Sequence, residues 1–426
     1  MPKSAQADWT VMVYLAGDNN LDGAGVDDLL EMKKVGSTPQ VNIVAQFDRI
    51  GQGEQTRRFY IKKGGKIEAD KVGEFKETNT GDPKVLNDFV AWAAKNYPAR
   101  RYMLVLWNHG AGWDDTDIYR GRSGVGIERL GHTLRKPASR SAPVLEYNRL
   151  PRLQAQRVRH ALFRSSAQAV VEAVARGGAN ARAILFDDNA KDFLDNMEMK
   201  RVLATTKKVL GQKLDVLGLD ACLMSMAEVA YQVRGGAGFT VGSEELEPGD
   251  GWPYDTVLAE LVKKPSMSGA DLARLVVRKY LASYTAADSV TQSSCDLAQS
   301  EALAQAITAF AAELTRGLGN KATRDAIKLA RSDTQEYEVK DNIDLIHFCK
   351  LLIGRVGTGP LANSAKQVME AARAMVTQSG FKGSKLANSN GLAMYFPTRN
   401  ISPLYAKLDF TKKTGWGKFL AAYVGA

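Results

Sequence analysis

Apolar positions along the chain fall into short β-rich runs separated by longer stretches of helical period. The runs are TVMVYLAG from Thr10, VNIVAQFD from Val41, RRFYIKK from Arg57, YMLVLWNHG from Tyr102, AILFDD from Ala183, LDVLGLDAC from Leu214 and FTVGSEE from Phe239. Helical spacing recurs near 21–35, 83–97, 192–210 and 224–234, and Pro83 follows Asp82 as a first-turn proline follows a cap. Strands alternating with helices predict an α/β fold, a mostly parallel sheet flanked by helices. From about Ser266 the texture changes to Ala/Leu-rich helical stretches at 268–285, 297–317, 320–331, 342–354 and 361–378, with strand-like DSVTQSSCDL and GLAMYFPT among them. The chain thus divides into a first domain over 1–265 and a helix-rich C-terminal subdomain over 266–426 that packs on it and can add strands to it.

With 426 residues, 45% of them hydrophobic and 24% charged, the composition is that of a globular protein and excludes collagen-like, mucin-like and disordered classes. No run reaches the ~18 apolar residues of a membrane span, so no membrane partner is expected. The start MPKSAQADWTVMVYLAG offers no apolar core of a signal peptide before its strand-like segment. The expected location is cytoplasmic if this N-terminus is complete and secreted if it was trimmed. Cys222, Cys295 and Cys349 lie far apart and only four histidines accompany them, which argues against a disulfide framework and a structural zinc site.

The formal charge of +10 has one source. Between Arg120 and Arg182 stand twelve Arg and one Lys against three acids, while the remainder of the chain holds 44 basic and 44 acidic residues. A basic partner surface spread over the whole protein is therefore unsupported. Within the segment, aromatic residues are few and no nucleic-acid-binding motif is present, so nucleic acid is a disfavoured partner. Its Gly/Ser/Pro-rich first part suits an exposed loop, and RLQAQRVRHALFRSSAQAVVEAVARG could form a basic helix. A connection of this length inside a compact domain is usually functional or disordered.

Two of the apolar runs end in reactive groups, His109 before Gly110 and Gly112, and Cys222 before Leu223 and Met224. Open α/β sheets bind ligands beyond the carboxyl ends of their strands. Neighbouring strands with these ends would set a thiol and a base across one crevice, as a cysteine peptidase requires. If a helix starts directly after Cys222, its dipole favours the thiolate, and the N–H groups of Cys222 and Gly110 are candidate oxyanion donors. The alternative for any single cysteine is a small buried hydrophobe, which is the reading for Cys295 and Cys349. His132, His160 and His347 read as solvated or structural.

WTVMVYLAGDNNLD, VLWNHGAGW, LDVLGLDACLMSMAEVAYQ and VGSEELEPGDGWPYD, with weaker likeness in DNIDLIHFCKLL, NSNGLAMYFP and TGWGKFLAAY, resemble the clostripain family of caspase-like cysteine peptidases. The resemblance implies a caspase-like α/β sandwich, His109 as base, Cys222 as nucleophile, and cleavage of proteins or peptides after Arg, or after Lys. Without residues 120–182, His109 and Cys222 are 50 residues apart, near the ~50 of the caspase signature. Asp220 stands where that signature has Gln, which weakens any expectation of cleavage after Asp. By resemblance Asp220 pairs with the substrate guanidinium, its alternative being a helix cap. Asp250 and Glu245 belong to an acidic Gly/Pro-rich loop, with Glu244 and Glu247, that could close over the substrate, and Trp252 could wall the pocket or fill the core. Relatives of this kind are cut in the linker between the His and Cys parts, so the Arg-rich stretch reads as an activation linker, with Arg135, Arg140, Arg149 and Arg152 as candidate bonds, cut by the enzyme itself or by an upstream activating protease.

No cofactor is needed for this chemistry. Calcium is the one candidate, at the oxygen-rich turn of Asp18, Asn19, Asn20 and Asp22, for which an Asx turn is the alternative. Against the peptidase stand two other classes, a basic nucleic-acid-binding module and a catalytically silent scaffold of the same fold.

Overall fold

The computed structural model of the chain describes residues 6–51, 55–113, 184–187, 189–190 and 192–426. The Arg-rich segment, with its candidate cleavage sites Arg135, Arg140, Arg149 and Arg152 and with His132 and His160, lies outside the described residues.

The apolar runs become a nine-stranded sheet. Its parallel centre comprises β1 (Ala7–Gly17), β2 (Val41–Arg49), β5 (Ala99–Trp107), β8 (Leu214–Asp220) and β9 (Ala237–Gly242). One side is extended antiparallel by β3 (Thr56–Tyr60) and β4 (Lys71–Phe75), and the other by β10 (Thr291–Asp296) and β12 (Val376–Phe381), so the C-terminal part completes the sheet of the first. The strand order is β12-β10-β9-β8-β5-β1-β2-β3-β4.

Strand periodicity survives inside the apolar runs. On β1, Trp9, Val11, Val13 and Leu15 face α1 (Asp22–Val35), α5 (Tyr254–Lys263) and α6 (Gly269–Ser283), whereas Met12, Tyr14 and Ala16 face α2 (Pro83–Asn96) and α3 (Asn196–Leu210). A strand covered on both faces needs no polar alternation, which is why these runs read as continuous. On the second face α3 is joined by α4 (Ala227–Val233), α7 (Ser300–Gly317), α9 (Leu345–Val356), α10 (Pro360–Met375) and α12 (Trp416–Val424), while α8 (Lys321–Asp333) packs on α9, and α11 (Asp409–Thr414) on α4 and α7.

Asp82 caps α2 by accepting from the Lys84 N–H at 2.8 Å, as its sequence predicts. Several expectations need adjustment. The stretch 192–210 opens as β7 (Asp192–Leu194), hairpin partner of β6 (Ile184–Asp187), before α3 begins with a capping box on Asp195. GLAMYFPT supplies β13 (Ala393–Tyr395), which pairs with the short β11 (Asn342–Asp344) instead of joining the main sheet. The helical stretch to 378 ends at Met375, because its last residues are the start of edge strand β12. Helix α5 was not foreseen, its period being masked by the Gly/Pro-rich segment before it.

Candidate active site

Strand order fixes where chemistry can occur. From β1 the chain moves one way to β2 and later returns on the other side as β5, so the β1/β5 boundary is a topological switch point that opens a crevice at the carboxyl ends. β8 lies next to β5 in parallel register, Trp107 opposite Asp220. His109 and Cys222 each follow two residues beyond that pair, so adjacent strands deliver both to one edge of the sheet.

Glycine lets the two loops touch. A Cβ on Gly110 would stand 2.4 Å from the Cys222 carbonyl oxygen, and one on Gly112 (φ +71°) would meet Met226 Sδ at 2.5 Å and the Leu223 carbonyl at 2.9 Å. The His109 loop is fastened on its other sides. Asn108 Nδ2 donates to the Ala16 carbonyl at 2.6 Å, Gly110 bridges Ile184, and Asn196 Nδ2 donates to the Trp113 carbonyl at 3.1 Å. Nε2 of His109 lies 2.9 Å from Oδ1 of Asn20, in the turn after β1.

Cys222 is almost fully buried, and the 245–247 segment lies across it. The Glu247 N–H donates to Sγ at 3.3 Å, the thiol points to the Glu247 carbonyl at 3.8 Å, and the Leu223 N–H donates to the Glu245 carbonyl at 3.2 Å. Burial is the main cause that pushes the thiol up to about 12. Burial also lowers His109 to about 4, so its ring is neutral at ordinary pH. The expected help from a helix dipole is absent. Leu223 takes a left-handed conformation (φ +63°) and α4 starts only at Ala227, with Met226 as cap. Cys295 and Cys349 are buried with their thiols raised chiefly by burial, as small core residues are. His347 is structural, its Nδ1 accepting from the Gln335 N–H at 2.9 Å.

Asp220 faces the same edge. Its Oδ2 accepts from the Tyr254 hydroxyl at 2.7 Å and from the Trp252 N–H at 3.4 Å. Burial raises its carboxyl to about 6, while the Glu247 carboxyl beside it is held well up by burial and by Asp220, so Glu247 keeps the proton and Asp220 the charge. Leu21, Trp107, Asp220, Glu247, Gly249 and Gly251 line a crevice of about 10 Å³, room for about one water and not for a guanidinium. Trp252 fills the core, its indole against Gly218, and its backbone N–H reaches Asp220. Asp250 is half-buried, next to Gly251, whose carbonyl accepts from Tyr284 at 2.7 Å. Glu245 turns away, its Oε1 accepting from the Leu246 and Glu338 N–H groups at 2.8 and 3.2 Å. Glu244 anchors the loop to the C-terminal part, Oε1 accepting from the Tyr337 hydroxyl at 2.7 Å. Sequence reasoning missed Tyr254, for which WPYD carries no signal, and the use of the Glu247 backbone to cover the thiol.

Three of the four side chains in the oxygen-rich turn have protein partners. Asn19 Oδ1 accepts from the Leu21 N–H at 2.9 Å, Asn20 is turned to His109, and Asp22 makes two 2.7 Å bonds with Arg49. Asp18 is buried beside Asp187, and among the described residues no three His, Cys, Asp or Glu side chains are placed to hold a metal ion.

Residues 13–126 and 172–423 match the family model described as the clostripain family. Over 277 residues, 58% of the chain, it is 29% identical to clostripain of Hathewaya histolytica, and the match spans only 41% of that protein's length. Two solved structures share the fold. One is a secreted C11 cysteine protease from Bacteroides thetaiotaomicron in complex with an irreversible peptide inhibitor (TM-score 0.60, 18% identity, 96% of this chain and 99% of that one). The other is an inactive zymogen C11 protease from Parabacteroides distasonis (TM-score 0.61, 19% identity, 97% and 99%). The largely parallel, helix-flanked sheet expected from the sequence is therefore the fold of these proteases. The family match takes in both loops that meet at the sheet edge, and the chain belongs to the clostripain family of cysteine peptidases.

Proposed function

We propose that the protein is a cysteine endopeptidase that cleaves after Arg, and secondarily Lys, and that the arrangement described above is its latent form. The observation that carries the reading is the delivery of His109 and Cys222 by adjacent parallel strands to one crevice, with a buried carboxylate, Asp220, two residues before the thiol.

In the working enzyme His109 takes the thiol proton and Sγ attacks the scissile carbonyl, giving a tetrahedral oxyanion held by the N–H groups of Cys222 and Gly110. Collapse breaks the C–N bond as His109 returns the proton to the leaving amine, leaving a thioester. Water, deprotonated by His109, hydrolyses it and restores the thiol. Asp220 supplies the negative charge for the P1 guanidinium, and Asp250, at the rim of the same loop, adds to it.

Three features support latency. The thiol is held up at about 12, Glu247 covers it, and the crevice above Asp220 is too small for an arginine side chain. Cleavage in the Arg-rich stretch 120–182, by the enzyme itself or by another protease, would free the ends of the two loops and let the 245–247 segment withdraw. The substrates are proteins or peptides with basic residues, no membrane or nucleic-acid partner is invoked, and no step passes through a metal. The test is turnover of fluorogenic peptides ending in Arg, Lys or Asp before and after trace trypsin. The reading requires activity on Arg that appears with cleavage between residues 120 and 182, and Asp-selective turnover would overturn it.

A further inference from the structure

From the hydrogen bond between His109 and the β1 turn we infer that Asn20 is the third member of the catalytic group, a positioning residue that sets the tautomer and orientation of His109. The inference rests on the dyad proposed above and adds a residue to it.

The geometry starts at the switch point. Asn20 follows β1 and His109 follows β5, neighbours in the sheet, and Nε2 of His109 meets Oδ1 of Asn20 at 2.9 Å. Amide Oδ1 is an acceptor only, so the ring proton sits on Nε2 and the lone pair on Nδ1. Nδ1 is then the atom that takes the proton of Cys222 and passes it to the leaving amine. Through both transfers the Nε2–H bond to Asn20 is retained, and no bond to Asn20 forms or breaks.

Both ends of this bond are rigidly held. The Asn20 turn is fixed by the Asn19 N–H to the Gly17 carbonyl at 2.7 Å, by the Asx turn of Asn19 onto Leu21, and by the partly buried Arg49–Asp22 pair that follows it. The His109 end is tied to the same strand, because Asn108 Nδ2 donates to the Ala16 carbonyl. A neutral amide also suits a buried base. A carboxylate in its place would also favour the imidazolium and raise the ring's pKa, whereas Oδ1 orients the ring and adds only a dipole.

Asn20 is exposed at the surface, so its replacement leaves the fold intact. The experiment compares Asn20→Ala, Asn20→Asp, Cys222→Ala and His109→Ala in the trypsin-activated enzyme on an Arg substrate, with kcat, KM, the pH profile of kcat/KM and the Tm of each. Asn20→Ala is expected to lower kcat about 10- to 100-fold, part of the 10²–10⁴ that acid–base catalysis supplies, with KM and Tm unchanged. Asn20→Asp should move the limb of the profile that reports His109 to higher pH by about one unit, which a merely structural residue would not do. If Cys222→Ala and His109→Ala are inactive while both Asn20 variants keep wild-type kcat and pH profile, the role of Asn20 is refuted and the dyad stands. If Cys222→Ala or His109→Ala retains turnover, the dyad itself is wrong.

Discussion

Replacing Tyr254 by Phe probes the specificity site with a single oxygen. The Tyr254 hydroxyl donates to Asp220 Oδ2 at 2.7 Å in a buried setting, and burial already raises the Asp220 carboxyl to about 6. A hydrogen bond to a charged acceptor contributes about 1.5–3 kcal/mol, and one pKa unit is about 1.4 kcal/mol, so its loss lifts Asp220 by about one to two units more. Near pH 7 the ionised fraction of Asp220 would then fall from about nine-tenths to between about one-half and one-tenth. A protonated Asp220 offers no charge to a guanidinium, so kcat/KM on an Arg substrate should fall by about 2- to 10-fold near pH 7 and recover as pH rises toward 9. The assay is the pH profile of kcat/KM, which reports the free enzyme, on matched peptides with Arg or a neutral residue at P1. A loss that is the same at every pH, or equal on both peptides, would refute the assignment of Asp220 to the P1 cation.

The remaining expectations use other parts of the structure. In the uncut chain, with its thiol near 12, Cys222 should react with iodoacetamide about 10³-fold more slowly near neutral pH than an ordinary thiol of pKa ~8.5, and cleavage within 120–182 should remove most of that protection, as measured by intact mass against time. Burial and the neighbouring Asp187 hold Asp18 up at about 8, well above its unfolded value near 4, so the stability its proton brings is full below about pH 4 and lost as pH rises through about 8. Asp18→Asn mimics the protonated acid, and its Tm relative to wild type should therefore grow between about pH 5 and pH 8, equally in calcium and in EDTA; a calcium-dependent difference would instead assign a metal to this turn. Arg331 is buried and donates to the Phe396 carbonyl, the Lys340 carbonyl and Glu336, so Arg331→Met should cost about 3 kcal/mol or more in urea unfolding.

The sheet was legible because its central strands are buried on both faces and so write themselves as unbroken apolar runs, each ending where a polar or glycine residue turns the chain. The placement of His109 and Cys222 followed from those ends. What lay beyond reach depends on contacts distant in sequence. The thiol is covered by the backbone of Glu247, 25 residues away, and Tyr254 reaches Asp220 across 34. Local pattern also misled where one residue type serves several ends. Met224 continues the apolar texture of α4, yet the left-handed turn at Leu223 delays the helix by several residues, so the dipole falls away from the thiol. The turn at Asp18–Asp22 has the oxygen content of a cation site; Asn19 forms an Asx turn, Asp22 pairs with Arg49 and Asn20 meets His109, while Asp18 is buried beside Asp187. Composition alone does not tell these uses apart.

The central claim is that Cys222, and neither of the other two cysteines, is the nucleophile of an Arg-directed peptidase. Trypsin-activated protein should be treated with a peptidyl-arginine acyloxymethyl ketone, digested, and its labelled residue located by mass spectrometry beside the His109→Ala variant. The account requires a single adduct on Cys222 that appears as turnover is lost, and no adduct in His109→Ala. Loss of turnover with the label on Cys295 or Cys349, or turnover that persists with Cys222 fully labelled, would contradict it.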